Sequence, residues 1–285
     1  MSASNPEPAP RPDDEARRRA VLDRPAPPPH TMLLTASPCE DRHAVDLWVT
    51  AALRRGERAV CLFDPAATSV EQLSTELAGA AIGAGRVLLL DAAAVAADTG
   101  GSSDGLWECL AELAARSGTG EGRPVNVTAD EAALRRCLGG GDDQLDEFER
   151  TLDRLTEGPS VRVLCRYPER DGAGRLRDSA VAHHRAVLDH MAAIERTGDT
   201  LRLSGAVDLR NLARVRALLD TAHAAGVRRV DLSGLRFCCA AGVAALAGID
   251  SRSAGAEDGP GEPDGVVLIE PTPAVRRVLA VVRRG

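Results

Sequence analysis

Five short apolar runs, Met32–Thr35, Ala59–Asp64, Arg86–Asp91, Pro124–Thr128 and Ser160–Tyr167, recur along the first two thirds of the chain. They are too short for buried helices and too evenly apolar for strands with one wet face. They therefore predict a parallel sheet covered by helices on both sides. Helical patterns fall between them. One spans Ala44–Arg55, a second Val70–Ala81 with Ser69 as cap, and a third is opened by Gly100-Gly101-Ser102-Ser103 and runs through Leu106, Leu110 and Leu113. Two more bracket Gly139–Gly141, and a last one covers Ser179–His190. Sheets of this kind take ligands at the carboxyl ends of their strands. Here those ends are Thr35–Cys39, Asp64, Asp91, Thr128 and Tyr167.

At 285 residues the chain has room for two cores. With three Phe, two Trp and one Tyr, these cores must be built from Leu, Val and Ala. All 35 basic residues are Arg, which removes lysine chemistry, and the net charge of −7 argues against direct nucleic-acid binding. No apolar run is long enough to cross a bilayer and no signal-peptide pattern opens the chain, so a cytoplasmic protein without membrane contact is expected. The seven Cys include no Cys-x-x-Cys pair and read as reduced thiols. Residues 1–29, rich in Pro, Ala, Asp and Arg without an apolar face, read as a disordered leader.

A different pattern begins near residue 191. Ile194–Arg196 and Leu201–Gly205 flank the turn Thr197-Gly198-Asp199 as a hairpin. Asp208 is placed to cap a helix with Leu209, Leu212, Val215, Leu218, Leu219 and Ala222 on its buried face. Val230–Val243 then passes from a strand through a tight turn into an Ala-rich helix, presenting a helix N-terminus at the surface. A Gly-, Pro- and acid-rich loop at 251–264 leads to a strand at Gly265–Ile269 and a closing helix at Pro273–Val282.

The stretch Asp231-Leu232-Ser233-Gly234 through Cys239-Ala240-Ala241-Gly242, with Gly205-Ala206-Val207-Asp208-Leu209 and Pro271–Leu279, resembles STAS domains, the anti-sigma-factor antagonists. The first part carries a more diffuse likeness over about residues 30–190. His30 before a strand, Arg54–Cys61, Leu88–Asp91, Leu164–Tyr167 and His183-His184 resemble the MEDS sensory domain, departing from its pattern around Asn126–Ala133. Together these imply an α/β chain with a RecA-like three-layer sensory domain at 30–190 and a smaller STAS-like α/β domain at 191–285. In STAS antagonists the partner kinase phosphorylates the Ser after an Asp at the helix start. The aligned residues are Cys239 and Ala240, with Ala241 at the next Ser, so the resemblance implies a contact surface whose hydroxyl switch is missing.

The other candidate chemistries fare poorly on the residues. Cys238-Cys239 at a helix start could suggest redox or metal chemistry, yet no nearby Cys or His completes a metal set, and small packing residues are the better reading. Val87–Asp91 looks like a magnesium-holding strand of a nucleotide hydrolase. However, Thr35–Arg42 has neither Gly nor Lys to cradle a phosphate, so no enzymatic activity and no cofactor are expected. His183, His184 and His190 on one expected helix lack acidic partners in sequence and read as surface or interface histidines, with no metal expected. The candidate ligand-lining residues are His30, Cys39, Asp64, Asp91, Cys165 and Tyr167. The candidate partner-binding residues are Asp208, Ser233, Arg236, Cys239, Ala240, Ala241 and Gly242. The expected partner is an anti-sigma factor of the histidine-kinase-like ATPase type, with a small-molecule ligand for the sensory domain. A small-molecule-binding sensor or scaffold protein without a sigma-factor role is the alternative.

Overall fold

The computed structural model describes residues 12–66, 85–117, 124–156, 158, 160–168, 183–189, 191–224, 226–251 and 267–282. The chain divides between Arg185 and Ala186 into two compact units. Expected features at 70–81, 179–182, His190 and 252–264 lie outside the described residues.

In the first unit, strands β1 (His30–Thr35), β2 (Arg58–Phe63), β3 (Val87–Asp91), β4 (Val125–Asp130) and β5 (Val161–Pro168) are all parallel, in the order β3-β2-β4-β5-β1. Strand alternation sorts their side chains onto two faces. Ala59, Cys61 and Phe63 of β2 pack with Val45, Val49 and Ala52 of helix α2 (Pro38–Arg54) on one face. His30, Cys165 and Tyr167 share the other face. The burial of nearly every residue in β1, β2 and β5 is what coverage on both faces requires.

Three helices of this unit differ from the sequence expectation. The leader is helical at α1 (Pro12–Leu22), where Val21 and Leu22 are buried and Arg18, only 1% exposed, meets Glu40 at 3.1 Å. The ion pair, invisible in local composition, ties a polar segment to α2. Helix α2 starts at Pro38 rather than Ala44. The Ser37 hydroxyl accepts the Glu40 N–H at 3.2 Å, the Glu40 carboxylate accepts the Ala36 N–H at 2.9 Å, and Pro38 stands in the first turn. Helix α3 (Ala92–Thr99) has no counterpart in the sequence expectation because an Ala-rich stretch with Val95 as its one large apolar residue has no periodic face. The Asp91 carboxylate caps it, accepting from the amides of Ala93 and Ala94, and Gly100 ends it in the left-handed conformation. Helices α4 (Ser103–Ser117), α5 (Glu131–Cys137) and α6 (Asp142–Leu155) complete this unit.

The second unit opens with β6 (Ala186–Leu188), where a helix was expected, antiparallel to β7 (Ala192–Thr197). The run Ala186-Val187-Leu188 is fully buried, and the ladder to β7 outweighs its modest helical pattern. β7 forms a hairpin with β8 (Thr200–Val207) across Gly198, whose φ of 59° suits glycine. The eight-residue β8 serves two parallel partners in turn. Thr200–Arg202 pair with β9 (Arg229–Asp231), and Gly205–Val207 with β10 (Leu235–Cys238). β9 also pairs with β11 (Val267–Ile269). Helices α7 (Leu212–Ala224), α8 (Ala240–Ser251) and α9 (Pro273–Val282) complete the unit. The strand β10 was not anticipated, because its exposed Arg236 and Phe237 break the apolar alternation.

Candidate functional site

Two groupings of side chains stand out, one in each unit. In the first, Glu149 projects from α6 at the position after Phe148 in the stripe Leu145, Phe148, Glu149, Leu152, all buried. A carboxylate inside an apolar helical stripe is costly unless satisfied. Glu149 is satisfied by four neighbours from β1, β5 and residue 184. His30 Nε2 lies 2.9 Å and His184 Nε2 3.3 Å from its Oε2. The Cys165 thiol donates to the same oxygen at 3.5 Å, and the Tyr167 hydroxyl donates to Oε1. Cys165 Sγ is 3.7 Å from His30 Nε2, and the His30 and His184 rings stack 3.9 Å apart.

The electrostatics follow from this crowding. Burial alone would raise the Glu149 carboxyl, but His184, His30 and Tyr167 hold it down at about 2. Burial and the Glu149 charge push Cys165 and Tyr167 well above their ordinary values, keeping both as donors. His30 Nδ1 sits 3.1 Å from the carbonyl oxygen of His183. A carbonyl can only accept, so Nδ1 carries the hydrogen and Nε2 faces the carboxylate.

The structure thus brings together His30, Cys165 and Tyr167 of the expected ligand residues. Asp91 is occupied capping α3, and Asp64 accepts the Ala66 amide at 3.0 Å in a local turn. Cys39 lies partly exposed in the first turn of α2. Glu149 and His184 were missed. The out-of-place acid in the stripe 145–152 was the available signal for Glu149. His184, expected at the surface or an interface, is buried because its partners come from distant segments. Behind the sheet, Arg166 holds the Thr128 hydroxyl at 3.0 Å and pairs with Asp41, whose carboxyl is raised by burial in spite of that cation.

In the second unit the ends of β8 and β10 lie side by side, the Cys239 amide donating to the Val207 carbonyl at 2.9 Å. Two surface turns leave from there. One is Asp208–Arg210, where the Arg210 side chain holds the Asp208 carboxyl below its usual range. Asp208 does not place Leu209 on the helix's buried face as expected. Leu209 is 76% exposed, and α7 begins at Leu212 after buried Asn211 bonds the Asp208 amide and the Ala206 carbonyl. The other turn is the start of α8, where Ala240 and Ala241 are exposed and Phe237, just before, is 54% exposed. Cys239 Sγ accepts the Gly242 amide at 3.4 Å, and burial beside Cys239 raises the Cys238 thiol to about 12, which makes it a poor nucleophile. A Cβ on Gly242 would stand 2.7 Å from Cys238 Sγ and 3.0 Å from Val207 Cγ1, so the helix start is seated closely on the sheet. Ser233 is exposed in the turn where Asp231 accepts its amide at 2.8 Å.

The family described as Mlab, STAS domain matches residues 190–284. Those residues are a STAS domain. The first unit lies outside the match, and among curated proteins none matches the chain. The STAS domain places Arg236, Phe237, Ala240 and Ala241 on its surface, with Gly242 buried beneath them. At the start of α8 the exposed positions 240 and 241 carry methyl groups and no hydroxyl. No described helix is long and apolar enough to cross a membrane.

Proposed function

We propose that this chain is a cytoplasmic, non-enzymatic regulator. In this reading its STAS domain docks on an anti-sigma factor of the histidine-kinase-like ATPase type, and its first unit acts as a MEDS-like sensory domain. The observation that carries the reading is the exposed start of α8, with Phe237, Ala240 and Ala241 outward beside the Asp208 turn. An apolar, closely seated helix start offers a partner area without a desolvation cost for charge. Because position 240 lacks an oxygen nucleophile, docking is not switched off by phosphorylation there.

The test is calorimetric titration of the full chain with purified anti-sigma factors of that type, with and without ATP. Binding that persists after incubation with ATP is expected. Ala240→Ser restores a hydroxyl and should become labelled by the bound kinase. Ala240→Glu should weaken binding at least tenfold while leaving the fold intact, since an acid in a helix's first turn is favourable. Absence of binding to every candidate, with the circular dichroism of a folded chain, overturns the reading. The missing hydroxyl favours a second reading, a small-molecule-binding sensor or scaffold protein without a sigma-factor role. A neighbouring gene for a sigma factor or anti-sigma kinase separates the two.

A further inference from the structure

We propose that His30, Glu149, Cys165 and His184 form a buried four-donor site for a divalent transition-metal ion of the zinc class. The proposal stands apart from the partner reading, because all four residues belong to the first unit. Their donor atoms lie within 4.8 Å of one another, and all four side chains are buried. A tetrahedral zinc ion, bound at roughly 2.0–2.3 Å, holds neighbouring donors about 3.3–3.6 Å apart. The separations here are 3.3 Å for His184 to Glu149, 3.5 Å for Cys165 to Glu149 and 3.7 Å for Cys165 to His30. The His30 to Glu149 separation, 2.9 Å, is shorter, and an ion entering between them would part those two atoms; the two remaining pairs, each with His184, lie within 4.8 Å.

The hydrogen bonding points the same way. With its Nδ1 hydrogen given to the His183 carbonyl, His30 presents Nε2 to a carboxylate. Two acceptors at hydrogen-bond distance need a cation between them, either a proton or a metal ion. The outer contacts are those that orient metal ligands elsewhere: a backbone carbonyl on the far nitrogen of His30, and the Tyr167 hydroxyl on the second oxygen of Glu149. Two imidazoles and a thiol disfavour magnesium and calcium, which take oxygen donors. Four protein donors leave no open position, so the site is of the closed kind that holds structure rather than turning over substrate. On loading, two protons leave to solvent, the one shared by His30 and Glu149 and the one the Cys165 thiol directs at Glu149, and the thiolate joins the ion.

Metal-free full-length chain is titrated with Co2+, and the Zn2+-loaded protein is examined by X-ray absorption. The expected result is one equivalent bound, four-coordinate visible bands, and a thiolate-to-cobalt charge-transfer band that Cys165→Ser abolishes while the visible bands remain. The zinc shell should contain one sulfur with three nitrogen or oxygen atoms. This measurement needs only the wild-type chain, so it decides the matter even if the variant misfolds. No tight binding, a zinc shell without sulfur, or a charge-transfer band that survives Cys165→Ser each overturns the proposal and leaves a proton between His30 and Glu149.

Discussion

Gly234 is the position where the contact surface depends most sharply on one hydrogen atom. It sits in the jog between β9 and β10, and its carbonyl accepts the Gly205 amide at 2.9 Å. A Cβ there would meet Ser204 Cβ at 2.7 Å, Ser204 Cα at 3.2 Å and the Leu203 carbonyl at 3.6 Å. Ordinary carbon contacts are about 3.5–4.0 Å, so Gly234→Ala must push β10 roughly an ångström away from β8. Two of the three atoms belong to backbone and cannot rotate aside. Overpacking of this kind costs about 1–3 kcal/mol. Weakening the Gly205 to Gly234 hydrogen bond adds about 1 kcal/mol. Both Trp residues lie in the first unit, so their fluorescence does not report on the STAS domain. Native-state amide exchange in β7 and β8 does. The expected loss of about 2–4 kcal/mol corresponds to exchange faster by roughly 30- to 700-fold, at about 1.4 kcal/mol per decade. Ser204→Gly in the same background removes the nearest clash and should recover about 1–2 kcal/mol as a coupling between the two sites. A rate change under about threefold for Gly234→Ala, or strict additivity in the double variant, refutes the steric argument.

Three further outcomes are expected. Phe237→Ala should weaken partner binding about 30-fold or more, as loss of an exposed aromatic anchor does. It should shift the thermal midpoint little, because the ring is already 54% exposed. Arg18→Ala leaves Glu40 without its buried cation and should destabilise the first unit by about 3–5 kcal/mol, measured as Trp fluorescence in urea; a change under about 1 kcal/mol shows that α1 is not docked. Glu57 gives the pH dependence. Burial pushes its carboxyl up, but hydrogen bonds from Arg162, Arg55 and Asn126 bring it below 4.5. Its contribution to stability is therefore complete above the unfolded value and is lost as pH falls through the folded one. Glu57→Gln should flatten the acid limb of a stability profile, and an unchanged limb would falsify that assignment.

What the sequence made legible was whatever rests on local pattern. Strands β1 to β5 fall within about two residues of the apolar runs, because burial on both faces leaves a continuous signal. The 197–199 hairpin and the start of α8 were legible for the same reason, since turn chemistry is local. What escaped depends on partners far along the chain. Arg18 makes α1 a docked helix through Glu40, and Ala186–Leu188 is a strand because β7 runs beside it. His184 became buried through Glu149, 35 residues earlier, and Cys165 and His30 complete the group from two strands. Asp91 shows the converse. Its strand reads in sequence like the magnesium-holding strand of a nucleotide hydrolase, yet its carboxylate is taken up by two helix amides.

The jog after β9 divides the 235–243 segment into anchors and free letters. Leu235, Gly242 and Val243 are buried and fix the backbone, while Arg236, Phe237, Ala240 and Ala241 point outward. Exchange of an outward serine for alanine at 240 therefore leaves the core untouched and even suits the helix. A hydroxyl-dependent switch on this scaffold could be erased in one substitution with no penalty to folding, so its absence here sits easily with an otherwise intact domain.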